Sequence, residues 1–450
     1  MRLPAAFAPL KNRDYRLLWC GAVGSLTAAQ MRSLANPYLA FELTGSATVL
    51  AAVALGQSLP GFFLGMFGGV IADRVKRRQL LMFTQTLIVL DSLVVTLLVT
   101  TGWIEVWQLA LLAALHGSTL SFNQPARQAY MVELAGSTNV TQAVALYNSG
   151  QQSVRIMGPA IAGALISLSF VGIEGTYWVI TAIYCLPVIS LFFIKARPEG
   201  KPRRRRAILV EFKDGISYIK NHEVLGILVL AGIVPPLLGN HYQQFLPVFA
   251  SDKVLGVGAS GLGLMATSTG IGAFLGAMAV ANFGNIRRRG LVQLAAGATF
   301  GVSLILFGLS REFAVTLACL GLVGFAASSY QTLNATLTLA ASDPAYYGRV
   351  SAVQQVNNSM GSFVVLPIGL MVDEVGAPTM MIVTGTLIAI FWVLVFSFSR
   401  SYRRIELPTA SESEDIPAPS DDPGAARIGA APPGVEVASS KEPEPSKTAP

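Results

Sequence analysis

The chain has 450 residues, 52% of them hydrophobic and 13% charged, with a formal net charge of +7. A soluble domain carries about 25% charged residues, so the composition excludes the three water-soluble domains that length alone would suggest. Apolar runs of about 20 residues recur instead, each long enough to cross a hydrocarbon core of about 30 Å as a helix. The basic residues fall in short clusters between those runs, which assigns the positive charge to membrane topology and argues against a nucleic-acid partner.

In chain order, the runs predict an all-α membrane protein with twelve spanning helices, at 17–41, 47–72, 79–101, 106–124, 140–168, 175–194, 223–249, 260–283, 290–309, 313–336, 349–372 and 378–398. The first run follows a charged segment and has no small-residue cleavage site before the next polar stretch, so it is expected to stay in the protein. Cys20, Cys185 and Cys319 lie inside spans without metal-ligand spacing, so neither a disulfide framework nor a metal site follows. The reading divides the chain into a six-helix half at 1–195, a cytoplasmic linker at 196–222, a second six-helix half at 223–400 and a disordered tail at 401–450. In the linker, Arg203 to Arg206 precede Ile208, Phe212, Ile216 and Ile219 at helical spacing. They predict a surface helix beside anionic lipid, or else a solvated connector with a stop-transfer charge cluster. The tail is rich in Pro, Ser, Ala and acidic residues and has nothing to bury.

An inside N-terminus puts Arg13 and Arg16, Arg74 to Arg78, Lys195 to Arg206, Arg287 to Arg289, Arg349 and Arg400 to Arg404 on one face, against Lys253 and Arg311 on the other. The positive-inside rule then places both termini in the cytoplasm. The halves repeat: Ser46 resembles Ser260, Gly61 and Gly65 resemble Gly272 and Gly276, and the basic loop 74–78 resembles 287–289. Two halves of the same orientation imply a pseudo-twofold axis along the membrane normal and a central cavity between them.

One loop carries a specific signature. Gly69 is followed by Ala72-Asp73-Arg74 and the basic residues Lys76, Arg77 and Arg78, between the second and third spans. It resembles the signature loop of the major facilitator superfamily, and the resemblance extends over roughly residues 10–400. The segments Lys11 to Trp19, Glu42 to Ser46, Asn123 to Gln128 and Tyr347 to Val350 are similar to the branch that includes enterobactin exporters and macrolide-efflux proteins. Gly158-Pro159 and Gly163 in the fifth span resemble the glycine-proline motif of drug/proton antiporters, with the closing glycine pair altered by Ala162. The resemblance implies a bundle of six plus six helices, gating roles for Gly69, Asp73, Arg74, Arg77 and Arg78, and a helix kink at Gly158, Pro159 and Gly163. A kink serving structure alone is the equal alternative.

Polar residues inside spans mark candidate cavity positions. The first span carries Gln30, Arg32 and Asn36, and its counterpart, the seventh, carries Asn240, His241 and Gln244. The fifth carries Gln151, Gln152 and Arg155, and the eleventh carries Gln355 and Asn358. The resemblance implies that the first and seventh helices line the cavity and that the fifth and eleventh meet between the halves. Their amides suit a cargo with polar and apolar parts, or they hold helices together by hydrogen bonds. Arg32 and Arg155 both sit about 22 Å from the cytoplasmic end at 1.5 Å per residue. They either share one anionic group, snorkel outward or form structural ion pairs. By the same arithmetic, Asp91 and His116 reach equal depths near the midplane, as a proton-sensitive pair or a structural hydrogen bond.

These readings converge on a secondary carrier. No Gly-x-x-x-x-Gly-Lys-Ser/Thr loop is present to bind ATP, and His116, His222 and His241 form no catalytic or metal-binding cluster. An enzyme and a cofactor are therefore not expected. The expected function is export of an amphipathic small molecule (a drug, siderophore or metabolite) by proton antiport and alternating access, from a monomer in a bacterial-type plasma membrane. The alternative is a non-transporting membrane sensor or scaffold signalling through its acidic tail.

Overall fold

The computed structural model describes residues 5–136, 139–195, 219, 223–252, 254–282, 289–342, 364–399 and 402. After a 3-10 turn at Ala5–Lys11 come α1 (Arg13–Thr44), α2 (Ala47–Arg74), α3 (Arg77–Thr100), α4 (Val106–Ala135), α5 (Val140–Ser167) and α6 (Gly172–Phe193). The second series is α7 (Glu223–Gly239), α8 (Tyr242–Ala250), α9 (Gly258–Asn282), α10 (Arg289–Leu309), α11 (Phe313–Ala340), α12 (364–375) and α13 (Ala377–Phe398). In α2 the description is of the backbone alone from Gly65 onward. Apart from Ile219 and Tyr402, the linker helix and tail expected from the sequence lie outside the described residues, as do Gln355 and Asn358.

Local chemistry fixes the helix ends. Asn12 caps α1 by accepting from the amides of Asp14 and Tyr15, at 2.9 and 3.4 Å, and so satisfies N–H groups the helix cannot pair internally. Gly45 ends α1 at φ 66°, a left-handed turn that a residue with a Cβ adopts only with strain, and its amide closes on the Phe41 carbonyl. A reciprocal capping box of Glu105 and Gln108 starts α4.

Among the described residues, seven helices are long and apolar enough to cross a membrane, the seventh span being counted as one run, Val224–Ala250. That span is split: α7 ends at Gly239, and Asn240 and His241 form the turn into α8. The helices α1, α4 and α5 carry polar side chains within the same length, which is where the interior chemistry concentrates.

The two series pack alike. In the first, α2 lies on α4, α3 on α4 and α6, and α1 on α6. In the second, α9 lies on α11, α10 on α11 and α13, and α7 on α13. The matching glycines act at the same contacts. Gly272 and Gly276 of α9 abut the carbonyls of Gly321 and Phe325 in α11, and Gly61 of α2 faces Ser121 of α4, whose hydroxyl donates to the Gly61 carbonyl at 3.4 Å. Small residues permit such backbone approach where lipid supplies no hydrophobic drive between helices.

The series meet at the end of the bundle away from Arg13 and Phe398, here called the distal end. There α5 packs along α9, where a Cβ at Gly263 would fall 2.8 Å from the Gly163 Cα. Gly369 of α12 rests on Ala47, Thr48 and Ala51 of α2. Asp373 of α12 accepts from the Ser46 hydroxyl at 2.6 Å and from the amides of Ala47 and Thr48 at 2.7 and 2.9 Å. A carboxylate from one series thus caps the first turn of α2 in the other, with favourable helix-dipole interaction.

Candidate transport site

A cavity of about 250 Å³ lies at the seam between the two series. From α1 it is lined by Gln30, Ser33, Leu34 and Pro37, and from α5 by Arg155 and Pro159. The α7–α8 turn adds Asn240, Tyr242, Gln243 and Gln244, while α9 and α11 contribute Leu262, Thr269, Ser328 and Gln331. Apolar walls with a few amides and one cation make up a mixed surface of the kind that holds small molecules.

The structure separates the polar residues grouped by sequence. Gln30, Arg155, Asn240 and Gln244 line the cavity, whereas Arg32, Asn36 and His241 do not. The reason in α1 is its period: 30, 33, 34 and 37 lie on one face, and 32 and 36 turn about 100° per residue onto another. Asn36 accepts from the Tyr177 hydroxyl at 2.9 Å inside the first series. His241 is buried in the turn, bonded to the Leu237 backbone. Arg32 and Arg155 therefore do not flank a common space. Gln151 is half-buried and is not part of the cavity lining, and the side chain of Gln152 lies outside the description.

Arg32 belongs instead to a buried ionic cluster. Its Nη1 donates to Asp91 Oδ2 at 2.5 Å, and lies 3.4 Å from His116 Nδ1, which itself is 3.5 Å from the same carboxylate oxygen. All three residues are at most 3% exposed. A guanidinium only donates, so an Nδ1 that bonds Arg32 must accept, which puts the proton of a neutral His116 on Nε2. Among the described residues, Arg32 Nε and Nη2, Asp91 Oδ1 and the Tyr184 hydroxyl make no hydrogen bond. Depth alone paired Asp91 with His116. Arg32 has the additional signal of a helical repeat, Ala28-Arg32-Asn36, on the buried face of α1.

A second buried network lies beside it. Arg127 donates to Ser25, Gln85 and Asn123 at 3.2, 3.2 and 2.6 Å, and Asn123 donates to Thr84 at 2.8 Å. Sequence reasoning missed Arg127 as an interior group because the predicted fourth span stopped at residue 124, whereas α4 continues to Ala135.

Of the proposed gating residues, the side chains of Asp73 and Arg74, and Gly69 beyond its place in α2, lie outside the description. Arg77 pairs with Glu133. Arg78 donates to the Leu191 carbonyl at 2.9 and 3.2 Å, capping the end of α6. In the fifth span, α5 is continuous through Pro159, with Gly158 against Gln30 and Gly163 against Gly263. Cys20, Cys185 and Cys319 are free, and no cluster of potential metal ligands occurs among the described residues.

Helices packed alike in two series and joined around a lined cavity fit a multi-pass membrane transporter of the major facilitator class. Residues 4–420 match the family of transmembrane secretion effectors within that superfamily, and the chain belongs to it. It is 23% identical over 397 residues to macrolide efflux protein A of Streptococcus pyogenes, covering 87% of this chain and 96% of that one. It is 22% identical over 417 residues to the enterobactin exporter of Citrobacter koseri, covering 90% and 94%. The crystal structure of the nucleoside transporter NupG superposes with a TM-score of 0.68 at 13% identity, covering 86% of this chain and all of that one, a likeness of fold. These relatives are transporters, and the chain is not an enzyme.

Proposed function

We propose that this transporter exports a small amphipathic molecule by alternating access, driven by proton entry, as a monomer in a bacterial cytoplasmic membrane with both termini inside. The observation that carries the reading is the seam cavity, lined from both series beneath a distal end where they are in contact. With the termini inside, the distal end is the outer face, and the cavity belongs to a state closed to the outside. The halves at 1–195 and 223–400 rock about the cavity, and the linker and tail are cytoplasmic. The efflux and exporter relatives support the outward direction.

The Asp91, His116 and Arg32 cluster is the proposed proton site. Protonating Asp91 removes the anion that holds Arg32, and a cation freed inside the first series demands a new arrangement of α1 against α3 and α4. Tyr177 and Tyr184 of α6 and Arg127 of α4 complete the polar and charged groups around it. Asp373 on the outer face, with the Gly163 and Gly263 contact, holds the closed state; the loop from Gly69 to Arg78 gates the inner face, and Gly158 and Pro159 permit bending of α5. Uptake of labelled compounds into everted vesicles, with and without an imposed pH gradient, tests the function. Accumulation that follows the gradient is expected. Accumulation that ignores it removes proton coupling, and absence of any gradient-driven or downhill flux across a broad panel contradicts export.

A further inference from the structure

We infer that the cargo carries an anionic group and that Arg155 selects it, an inference that rests on the seam cavity being the cargo site. Arg32, Arg127 and Arg155 lie away from the helix ends of the first series, and the protein treats them differently. Arg32 is 3% exposed and paired with Asp91, and Arg127 is 4% exposed and bonded to three neighbours. Arg155 is exposed, lines the cavity, and makes no hydrogen bond or ion pair among the described residues. An intramembrane cation is costly to keep, and such groups mark binding or transport functions.

No described residue nearby neutralises it. The described lining of the cavity contains no carboxylate. In the sequence, Asp91 is the one acidic residue in the middle of a span, and its side chain is 1% exposed and held by Arg32. Residues 351–363, in the predicted eleventh span, include no acidic residue. The cavity therefore has a positive field without an internal counter-charge, and a cationic cargo would meet only repulsion there.

The surroundings define the rest of the ligand. A guanidinium fork pairs two parallel N–H groups with a carboxylate. Gln30, Asn240, Gln243 and Gln331 supply further amide donors and acceptors, while Leu34, Pro37, Leu246 and Leu262 give an apolar wall. The ligand is an organic anion with a compact hydrophobic body, a carboxylate being the simplest case. An inside-negative membrane potential assists the outward passage of such an anion.

The test uses the full chain in detergent micelles and a panel of aryl and cycloalkyl carboxylates headed by naphthalene-2-carboxylate. Each is matched with its neutral carboxamide and its aminomethyl cation, and affinities are read from thermal stabilisation. In the unmodified chain the carboxylates bind tighter than the amides by on the order of tenfold or more, and the cations bind weakest. Arg155→Gln brings carboxylate and amide to within about twofold, whereas Arg155→Lys keeps a reduced preference because the charge stays and the fork is lost. Gln331→Trp, which fills the cavity, removes binding of every class. Equal binding of the three classes, a preference that survives Arg155→Gln, or no carboxylate binding overturns the anion assignment. Binding that persists in Gln331→Trp instead overturns the cavity as the cargo site, so the two failures are told apart.

Discussion

The two helical series share a packing scheme but not an interior. In the first, α1, α3, α4 and α6 enclose charge: the Arg32, Asp91 and His116 cluster, the Arg127 network, and a hydroxyl chain in which Ser92 and Thr96 lie 2.7 and 2.8 Å from Thr181. In the second, the described interior between α10, α11 and α13 has one amide pair, Gln293 to Asn334 at 2.8 Å, set among aromatic rings and glycines. Phe300, Tyr330 and Trp392 meet in sequence with centroids 5.6 and 6.3 Å apart, the second pair edge-on, Gly297 lies under Trp392, and Gly301 lies under Ala389. Both solutions join helices where lipid offers no hydrophobic drive. The first does so with groups that can change charge, the second, among its described residues, with close packing and uncharged hydrogen bonds. We therefore propose that a response to protons belongs to the first series and that the second is the rigid partner.

This contrast can be broken by substitution. The largest effect is expected from Asp91→Leu, which strands a buried Arg32 and costs about 3–5 kcal/mol, much of it recovered in Arg32→Met with Asp91→Leu. Reversible unfolding in mixed micelles measures both, and equal losses in the single and double variants would show that the ion pair is not the source. Next, Gly301→Leu in the second series forces a side chain against the Ala389 backbone and costs about 1–3 kcal/mol by overpacking. If that variant is as stable as the parent, close packing is not what holds α10 to α13. Smaller still, Gln293→Leu should cost about 0.6–1.7 kcal/mol, the range of interhelical hydrogen bonds in membranes. A loss as large as that of Asp91→Leu would erase the distinction between the two interiors.

The smallest effect concerns the distal contact. Burial acts to raise the Asp373 pKa, but hydrogen bonds from Ser46, Thr48 and the Ala47 amide outweigh it and hold the carboxyl below its ordinary value of 3.8. A group depressed in the closed state stabilises that state above its ordinary pKa and loses the contribution as pH falls through the depressed one. The contact should therefore be insensitive to pH from neutrality down to about 4 and weaken below it. Asp373 is exposed to solvent, so Asp373→Asn is expected to shift the closed population by only about 0.5–1 kcal/mol after screening. Spin-label distances between the exposed positions Thr101 and Arg311 report that shift. Loss of closure between pH 7 and pH 5 would contradict the assignment.

Much of the fold was legible because span length, charge clusters and glycine spacing are one-dimensional signals. Depth was legible too, and it brought Asp91 to His116. What depth cannot give is rotation about the helix axis: Gln30 and Arg32 share a depth to within two residues, yet one faces the cavity and the other the interior. Azimuth is set by the neighbours each face meets, here Asp91 on α3 and His116 on α4, which no spacing within α1 specifies. Asp373 was equally hidden, since its partners Ser46, Ala47 and Thr48 are more than 300 residues away, with separations of 325 to 327.

The central claim is that the first series carries the proton response through Asp91. The most direct measurement is transport by Asp91→Asn in everted vesicles, with gradient-driven accumulation and downhill exchange of the same labelled cargo followed in parallel. Asn keeps the size of the side chain and removes its titration, so accumulation driven by a pH gradient should be lost while exchange persists. Undiminished gradient-driven accumulation in that variant would contradict the account.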